Sequence, residues 1–126
     1  MRHLCLAVGI LALATAGCGG SPTAKVKGQI LENGQPKSFP PSSHAVEIAP
    51  ISDAGVPDNS KMFTAVVNAD GSFEVLASGG ELPLGNYVFT VRGSSAGKKG
   101  TQPPGAKREL KSGLNTITLD VAKPGE

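Results

Sequence analysis

Hydrophobic and polar positions alternate with a period of two along most of the chain after residue 24, which is the pattern of half-buried β-strands. The first such stretch places Val26, Gly28 and Ile30 on one side, with lysine and glutamine residues on the other. No stretch in this part of the sequence has the three, four, seven spacing of an amphipathic helix. The pattern therefore predicts an all-β domain.

Turn signals divide this pattern into six or seven short strands. Asn33 and Gly34 predict a tight turn after the first strand, and the sequence NADG at residues 68 to 71 predicts the turn of a β-hairpin. The strand before that hairpin turn leaves two interpretations open. Either Phe63, Ala65 and Val67 point inwards, or the alternate residues Met62, Thr64 and Val66 do.

Many short strands with frequent turns indicate a single β-sandwich, in which two apolar faces bury each other about 10 Å apart. We place this domain at residues 25 to 122, followed by a tail at 123 to 126. Residues 93 to 107 lack an apolar period and are expected to form an exposed loop. The predicted common interior contains Val26, Ile48, Phe73, Phe89 and Leu119.

The N-terminus has a different pattern, in which two basic residues precede an apolar run of about 13 residues from Leu4 to Ala16. This order is typical of a secretory signal peptide, and the run is shorter than the ~20 residues that a membrane-spanning helix needs. We therefore interpret residues 1 to 17 as a signal peptide.

Two cleavage sites remain open. TAGC at residues 15 to 18 resembles the lipobox of bacterial lipoproteins, in which the cysteine receives a diacylglyceryl group. The pattern Ala14-Thr15-Ala16 instead fits ordinary signal peptidase and would leave a free thiol. Cys5 lies in the leader, so Cys18 is the only cysteine of the mature chain, and a free thiol is a liability outside the cytoplasm. We therefore favour lipidation of Cys18. Residues 18 to 24 then comprise the lipidated cysteine and a flexible tether that follows it.

The composition excludes some classes of binding partner. A formal net charge of +2 and an aromatic content of 4% argue against nucleic-acid binding, which needs an excess of cations. The chain has no Trp and one Tyr, so aromatic platforms for carbohydrate are not expected. A basic stretch is either a solvated loop or a contact for anionic envelope polymers and lipid head groups. It comprises Lys98, Lys99, Lys107 and Arg108.

The residues predict no catalytic or metal centre and no cofactor. His44 is the only histidine after the leader and lies where a loop enters a strand, so an exposed or hydrogen-bonded role is expected. No serine stands in a G-x-S-x-G motif. Asp53, Asp58 and Asp70 are spread over loops without the spacing of a calcium-binding loop, and Asp70 is explained by its turn.

Four segments in order, VKGQILENGQPKS, TAVVNADGSFEV, LPLGNYVFTVRG and SGLNTITLDV, resemble carboxypeptidase regulatory-like domains. The resemblance covers roughly residues 25 to 122 and implies a Greek-key, transthyretin-like (prealbumin-like) sandwich. Pro83 and Gly85 would shape the corner before Tyr87, whose hydroxyl group is expected to bond to the backbone.

The sequence is also similar to small bacterial lipoproteins that carry one such domain after the lipidated cysteine. This implies a non-catalytic envelope module that has a structural role or binds a protein or polymer. Its expected location is the outer membrane, because residue 19 is Gly and not Asp. One alternative is an extracytoplasmic small-ligand or carbohydrate-binding domain. A remote one is a hydroxyisourate-hydrolase-like enzyme, whose family ends in Y-R-G-S. Here VRGS at 91 to 94 lies mid-chain and lacks the accompanying tyrosine and histidines.

Overall fold

A computed structural model describes residues 22–75, 77–93, 105–123 and 125–126. These residues contain two short 3-10 helices, Asn59–Lys61 and Ala77–Gly80, and no α-helix. The all-β prediction is confirmed. The described part of the chain has nine strands where about seven were predicted, and two of the nine are only two or three residues long. The strands are β1 (Thr23–Glu32), β2 (Gln35–Pro36), β3 (His44–Pro50), β4 (Phe63–Val67), β5 (Ser72–Val75), β6 (Glu81–Pro83), β7 (Gly85–Gly93), β8 (Ala106–Leu110) and β9 (Gly113–Asp120).

All nine strands belong to one curled sheet that is antiparallel except for the parallel pair of β1 and β9. Strand β1 pairs with β6, β5 and β2 through successive residues, whereas β9 pairs with nearly its whole length, from Ala24 to Leu31. A strand has two edges, so β9 takes one edge of β1 and the three others share the second. The sheet then continues from β5 through β4, β3 and β7 to β8.

The curl encloses a single apolar core. Val26, Ile48, Phe73, Phe89 and Leu119 all belong to it, with exposed fractions of 4% or less, and the predicted common interior is confirmed. On β4, Ala65 and Val67 are buried and Val66 is exposed. The structure therefore selects the inward set that starts at Phe63.

Two glycines permit this packing. Gly28 stands opposite Phe73 in the register of β1 and β5, and a Cβ atom on Gly28 would lie 2.0 Å from the ring atom Cζ. The ring of Phe73 therefore occupies the space of the missing side chain. Gly71 has φ +82° in the hairpin turn, a conformation that a side chain disfavours.

The two ends of the sheet bring different segments of the chain together. At the end called proximal, Thr23 pairs with Pro83, and Ala24 pairs with Leu82 and Gly113. The end called distal holds the turns at 33–34 and 68–71 and the starting residue of β3. Strand β1 begins at Thr23, two residues before the predicted domain boundary at residue 25, and Ala24 is already fully buried between β6 and β9.

Two segments in which the sequence shows no apolar period contain strand residues. Residues 81 to 83 form β6, because Ala24 and Lys25 of β1 offer free backbone groups beside them. The predicted loop at 93 to 107 ends in β8, which pairs with β7 and buries Ala106. Residues 94 to 104 of that predicted loop lie outside the described residues.

Candidate functional site

A cleft of ≈ 360 Å³ opens at the distal end, where the chain segment after β2 and the C-terminal residues approach β3, β7 and β9. Its floor is part of the core, because Phe89, Ala106 and Leu119 are buried. Its walls are apolar as well and include Phe39 and Val91. Polar side chains are confined to the rim, namely Lys37, His44, Asp120, Lys123 and Glu126.

The Phe39 and His44 rings form one wall of the cleft. Their centroids are 4.5 Å apart with an interplanar angle of 54°. Phe39 is held in place because its backbone N–H donates to the carbonyl oxygen of Ala69, at 2.9 Å. The Lys37 ammonium lies 6.0 Å from the centroid of the Phe39 ring and pairs with the Glu32 carboxylate.

The geometry of His44 argues against activation of Ser43 as a nucleophile. Its Nδ1 atom is 2.7 Å from the Ser43 Oγ atom. The same hydroxyl group donates to the carbonyl oxygen of Pro40, at 2.6 Å. A hydroxyl has one proton to donate, so the Nδ1 atom must donate to the Ser43 oxygen. The histidine is thus a donor in this pair and does not accept the serine proton, as nucleophilic catalysis would require.

Asp120 connects three chain segments at the rim. Its carboxylate accepts hydrogen bonds from the N–H groups of Ala122 (2.9 Å), Gly34 (2.9 Å) and Asn33 (3.1 Å). These bonds, with the one from Ala122 contributing most, lower the pKa of Asp120 from its ordinary value of 3.8. Asp120 therefore stabilises the β1–β2 turn and the chain after β9.

The rim charges balance each other. Lys37 pairs with Glu32, and the Lys123 ammonium lies 3.7 Å from a carboxylate oxygen of Glu126. Two cations, Lys37 and Lys123, and two anions, Asp120 and Glu126, thus line the cleft around its apolar interior. This arrangement favours a ligand with an apolar body, and it gives no net preference for the sign of the ligand's charge.

The basic residues predicted to act together are only partly described. Lys98 and Lys99 lie outside the described residues, as does Cys18. Lys107 and Arg108 are successive residues of β8, so their side chains leave opposite faces of the sheet. Lys107 is exposed, whereas Arg108 is half-buried. These two residues do not form a common cationic surface.

Arg108 closes the curl of the sheet. Its guanidinium group donates to the carbonyl oxygens of Lys107 (2.9 Å), Thr118 (3.2 Å) and Glu126 (2.8 Å). Thr118 belongs to β9, at the opposite edge of the sheet from β8. The side chain therefore connects the two edge strands and the C-terminal residues.

The loop aspartates have structural partners. Asp70 accepts from the hydroxyl and backbone N–H groups of Ser72, and Asp58 makes the same two bonds with Ser60. These bonds lower the pKa of both carboxyl groups. Within the described ranges, no three His, Cys, Asp or Glu side chains group as metal ligands would.

The hydroxyl group of Tyr87 donates to the carbonyl oxygen of Pro83 at 2.7 Å, which confirms the expected bond at the corner before β7. Burial raises the pKa of Tyr87. Phe39 and Asp120 were not predicted as site residues, and Arg108 was predicted as a possible contact for anionic surfaces, not as the link between the two edge strands. The one usable signal was Phe39, an aromatic residue isolated in a proline-rich segment, since the partners of Asp120 and Arg108 are distant in sequence.

A scan against protein-family models, a search of curated proteins and a search of solved structures found no match to this chain. No helix in the described part of the chain is long and apolar enough to cross a membrane.

Proposed function

We propose that this chain is a lipid-anchored, non-catalytic β-domain of the bacterial cell envelope that acts as a structural or protein and polymer interaction module. In this proposal the sheet is a carboxypeptidase regulatory-like, Greek-key sandwich, and residues 1 to 17 are a signal peptide. The anchor is the lipid on Cys18, in the outer membrane as Gly19 implies. The partner is an envelope protein or polymer.

The position of β1 is the observation that carries this proposal. The strand begins at Thr23, only five residues after Cys18. A lipid on that cysteine would hold the folded domain next to the bilayer, since two or more acyl chains make a stable anchor. The other end of the sheet would then face outwards as the surface available to a partner.

The polar contacts also support a binding role over a catalytic one. The carboxylates of Asp58, Asp70 and Asp120 are occupied by backbone and hydroxyl donors of neighbouring turns. His44 donates to Ser43, because the Ser43 hydroxyl proton is already donated to the Pro40 carbonyl oxygen. Each of these groups thus has a partner that stabilises local structure.

Lipidation is tested by expressing the full chain in a bacterial host with an alkyne-tagged fatty acid. We expect the label in the mature protein, which should start at Cys18 and partition into the membrane fraction. The Cys18→Ser variant should lose both properties. Cys5→Ser is the matched control, because the leader cysteine is removed and its loss should change neither. A mature chain that starts at Gly17 without lipid would refute the anchor.

The interaction role is tested in intact cells with a photo-reactive amino acid at Ser42, which is exposed beside the distal end. We expect a discrete crosslinked adduct of higher mass from this position. The same residue placed at Thr116, exposed in β9 on the side of the sheet, is the control. Adducts of equal yield and pattern from both positions would contradict a specific surface at the distal end.

The distal cleft favours a second candidate, the extracytoplasmic binding of a small ligand. Its volume of ≈ 360 Å³ lies near the lower end of the range for ligand pockets, about 300–1,000 Å³, and such pockets are mostly apolar with a few polar groups. Val91→Trp should fill the cleft and abolish binding of an apolar fluorescent probe. Val66→Trp, on the outer side of β4, should leave it unchanged, and equal binding by both variants would exclude the cleft.

A further inference from the structure

Two exposed leucines lie at the proximal end of the sheet. Leu84, in the corner between β6 and β7, is 40% exposed, and Leu114, near the start of β9, is 61% exposed. Because β6 and β9 occupy opposite edges of β1, the two leucines flank the first residues of that strand. Their strands are two intervals apart, about 10 Å across the sheet. The first residues of β1 therefore lie between them.

The distance from this end to the cysteine is limited by covalent geometry. Four residues, Gly19 to Pro22, lie between Cys18 and Thr23. Five Cα steps of at most 3.6 Å reach about 18 Å, whatever conformation these residues adopt. If Cys18 carries the lipid, the proximal end cannot leave the neighbourhood of the bilayer.

The distal end lies much farther away. Strand β1 runs from Thr23 to Glu32, which is about 30 Å at 3.3 Å per residue. The distal cleft and the turns at 33–34 and 68–71 are thus the parts of the described sheet most remote from the anchor.

We propose that the proximal end docks on the lipid bilayer itself, with Leu84 and Leu114 inserted at the level of the head groups. This inference rests on the proposed lipidation of Cys18. The tether holds both leucines at the bilayer, and burying an exposed leucine in an apolar environment is favourable. The domain would then stand upright, with its distal end directed away from the membrane.

Charge at this end does not select anionic lipid. Lys25 is the register partner of Glu81, and Lys111 follows β8 close to Glu109. Two cations are therefore accompanied by two anions. Docking is expected to depend on the two leucines and to occur on zwitterionic phosphatidylcholine vesicles as well as on vesicles with anionic lipid.

The experiment uses the lipidated chain purified from membranes and reconstituted in phosphatidylcholine vesicles that contain nitroxide-labelled lipid. A bimane fluorophore is attached at Ser112→Cys, in the exposed turn between β8 and β9, or at Ala69→Cys, in the exposed distal turn. The sulfur of Cys18 would carry the diacylglyceryl group and would not react with the fluorophore. We expect blue-shifted, strongly quenched emission at position 112 and unquenched emission at position 69.

The leucines are tested with the fluorophore at position 112. The double variant Leu84→Gln/Leu114→Gln should lose most of the quenching while the chain stays on the vesicle through its lipid. Val66→Gln is the matched control, because Val66 is 56% exposed but lies on β4, beside the distal hairpin, and should leave the quenching unchanged. Equal quenching at positions 112 and 69, or no effect of the double variant, would overturn the inference.

Intact mass measured on the same samples shows whether Cys18 carries lipid, so docking of the proximal end and lipidation are tested separately. A lipidated chain without quenching at position 112 refutes the docking and leaves the proposed function standing. A chain without lipid refutes the anchor, and if its Cys18→Ser form is still quenched at position 112, the proximal end binds the bilayer by itself. A chain with neither property refutes both.

Discussion

Substitution of Gly28 by alanine tests how closely β1 and β5 are packed. The new Cβ atom would lie 2.0 Å from Cζ and 2.3 Å from Cε1 of Phe73, whereas non-bonded carbon atoms prefer about 3.5–4.0 Å. The ring must therefore move by roughly 1.5–2 Å. Phe73 is 2% exposed and surrounded by core residues, so this movement disturbs the interior of the sheet.

Two known costs bracket the loss of stability expected for Gly28→Ala. Overpacking of a core costs about 1–3 kcal/mol, and complete loss of a buried phenylalanine side chain costs about 3–5 kcal/mol. The required displacement is large, so we expect Gly28→Ala to lower the free energy of unfolding by about 3 kcal/mol. For a domain of this size that corresponds to a decrease in Tm of about 12–24 °C.

A double-mutant cycle identifies the cause. Phe73→Ala alone should cost about 4 kcal/mol. In the double variant the ring is absent and the alanine methyl group fits, so the cost should stay near 4 kcal/mol instead of the roughly 7 kcal/mol of an additive pair. The measurement is urea denaturation followed by far-ultraviolet circular dichroism, on the chain expressed from position 18 with Cys18→Ser.

Lys27→Ala is the control for this cycle, because Lys27 is the exposed neighbour of Gly28 on β1 and a surface substitution changes stability by less than about 0.5 kcal/mol. A Gly28→Ala variant as stable as the parent, or an additive double variant, would show that the Phe73 ring does not lie over Gly28.

Three further predictions concern single side chains. Asp120→Asn should lower the urea midpoint at pH 7, whereas Asp53→Asn, in an exposed loop, should not. The folded pKa of Asp120 lies below its ordinary value of 3.8, so its contribution is present above that value and is lost as the pH falls through the folded pKa. A difference between parent and Asp120→Asn that persists in strong acid would contradict this assignment. Arg108→Met should cost about 1–2 kcal/mol and accelerate amide exchange at the C-terminal residues, whereas Lys107→Met should do neither. Unchanged exchange in Arg108→Met would refute the bridge to Glu126. Tyr87→Phe removes the bond to the Pro83 carbonyl and should cost about 0.5–1.5 kcal/mol in urea denaturation, so a neutral result would indicate that water replaces the hydroxyl group.

The succession of the main strands along the chain could be predicted from the sequence, and so could the inward residues of most of them. A half-buried strand must alternate apolar and polar residues. Phe73, Phe89 and Leu119 were assigned to the core on that basis, and the tight turn was assigned from Asn33 and Gly34, which have positive φ angles. These features depend on residues that are close in the chain, so local pattern is sufficient to determine them.

Other features depend on contacts between residues that are distant in sequence. The inward set of β4 was ambiguous because both sets contain apolar residues, and only pairing with β3 and β5 places Ala65 and Val67 inside. Strand β6 is too short to show a period, and it forms because β1 offers a free edge. The parallel pairing of β1 with β9 decides which turns and side chains meet at each end.

The cleft and the proximal surface follow from that pairing. Asp120 reaches Gly34 across 86 positions of sequence, and Leu84 and Leu114 flank the start of β1 only because β6 and β9 lie on its two edges. The sequence by itself determined which residues are apolar and where the chain turns. The tertiary structure decided which of these lie side by side, because hydrogen-bonded register and not sequence distance sets the neighbours of a residue in a sheet.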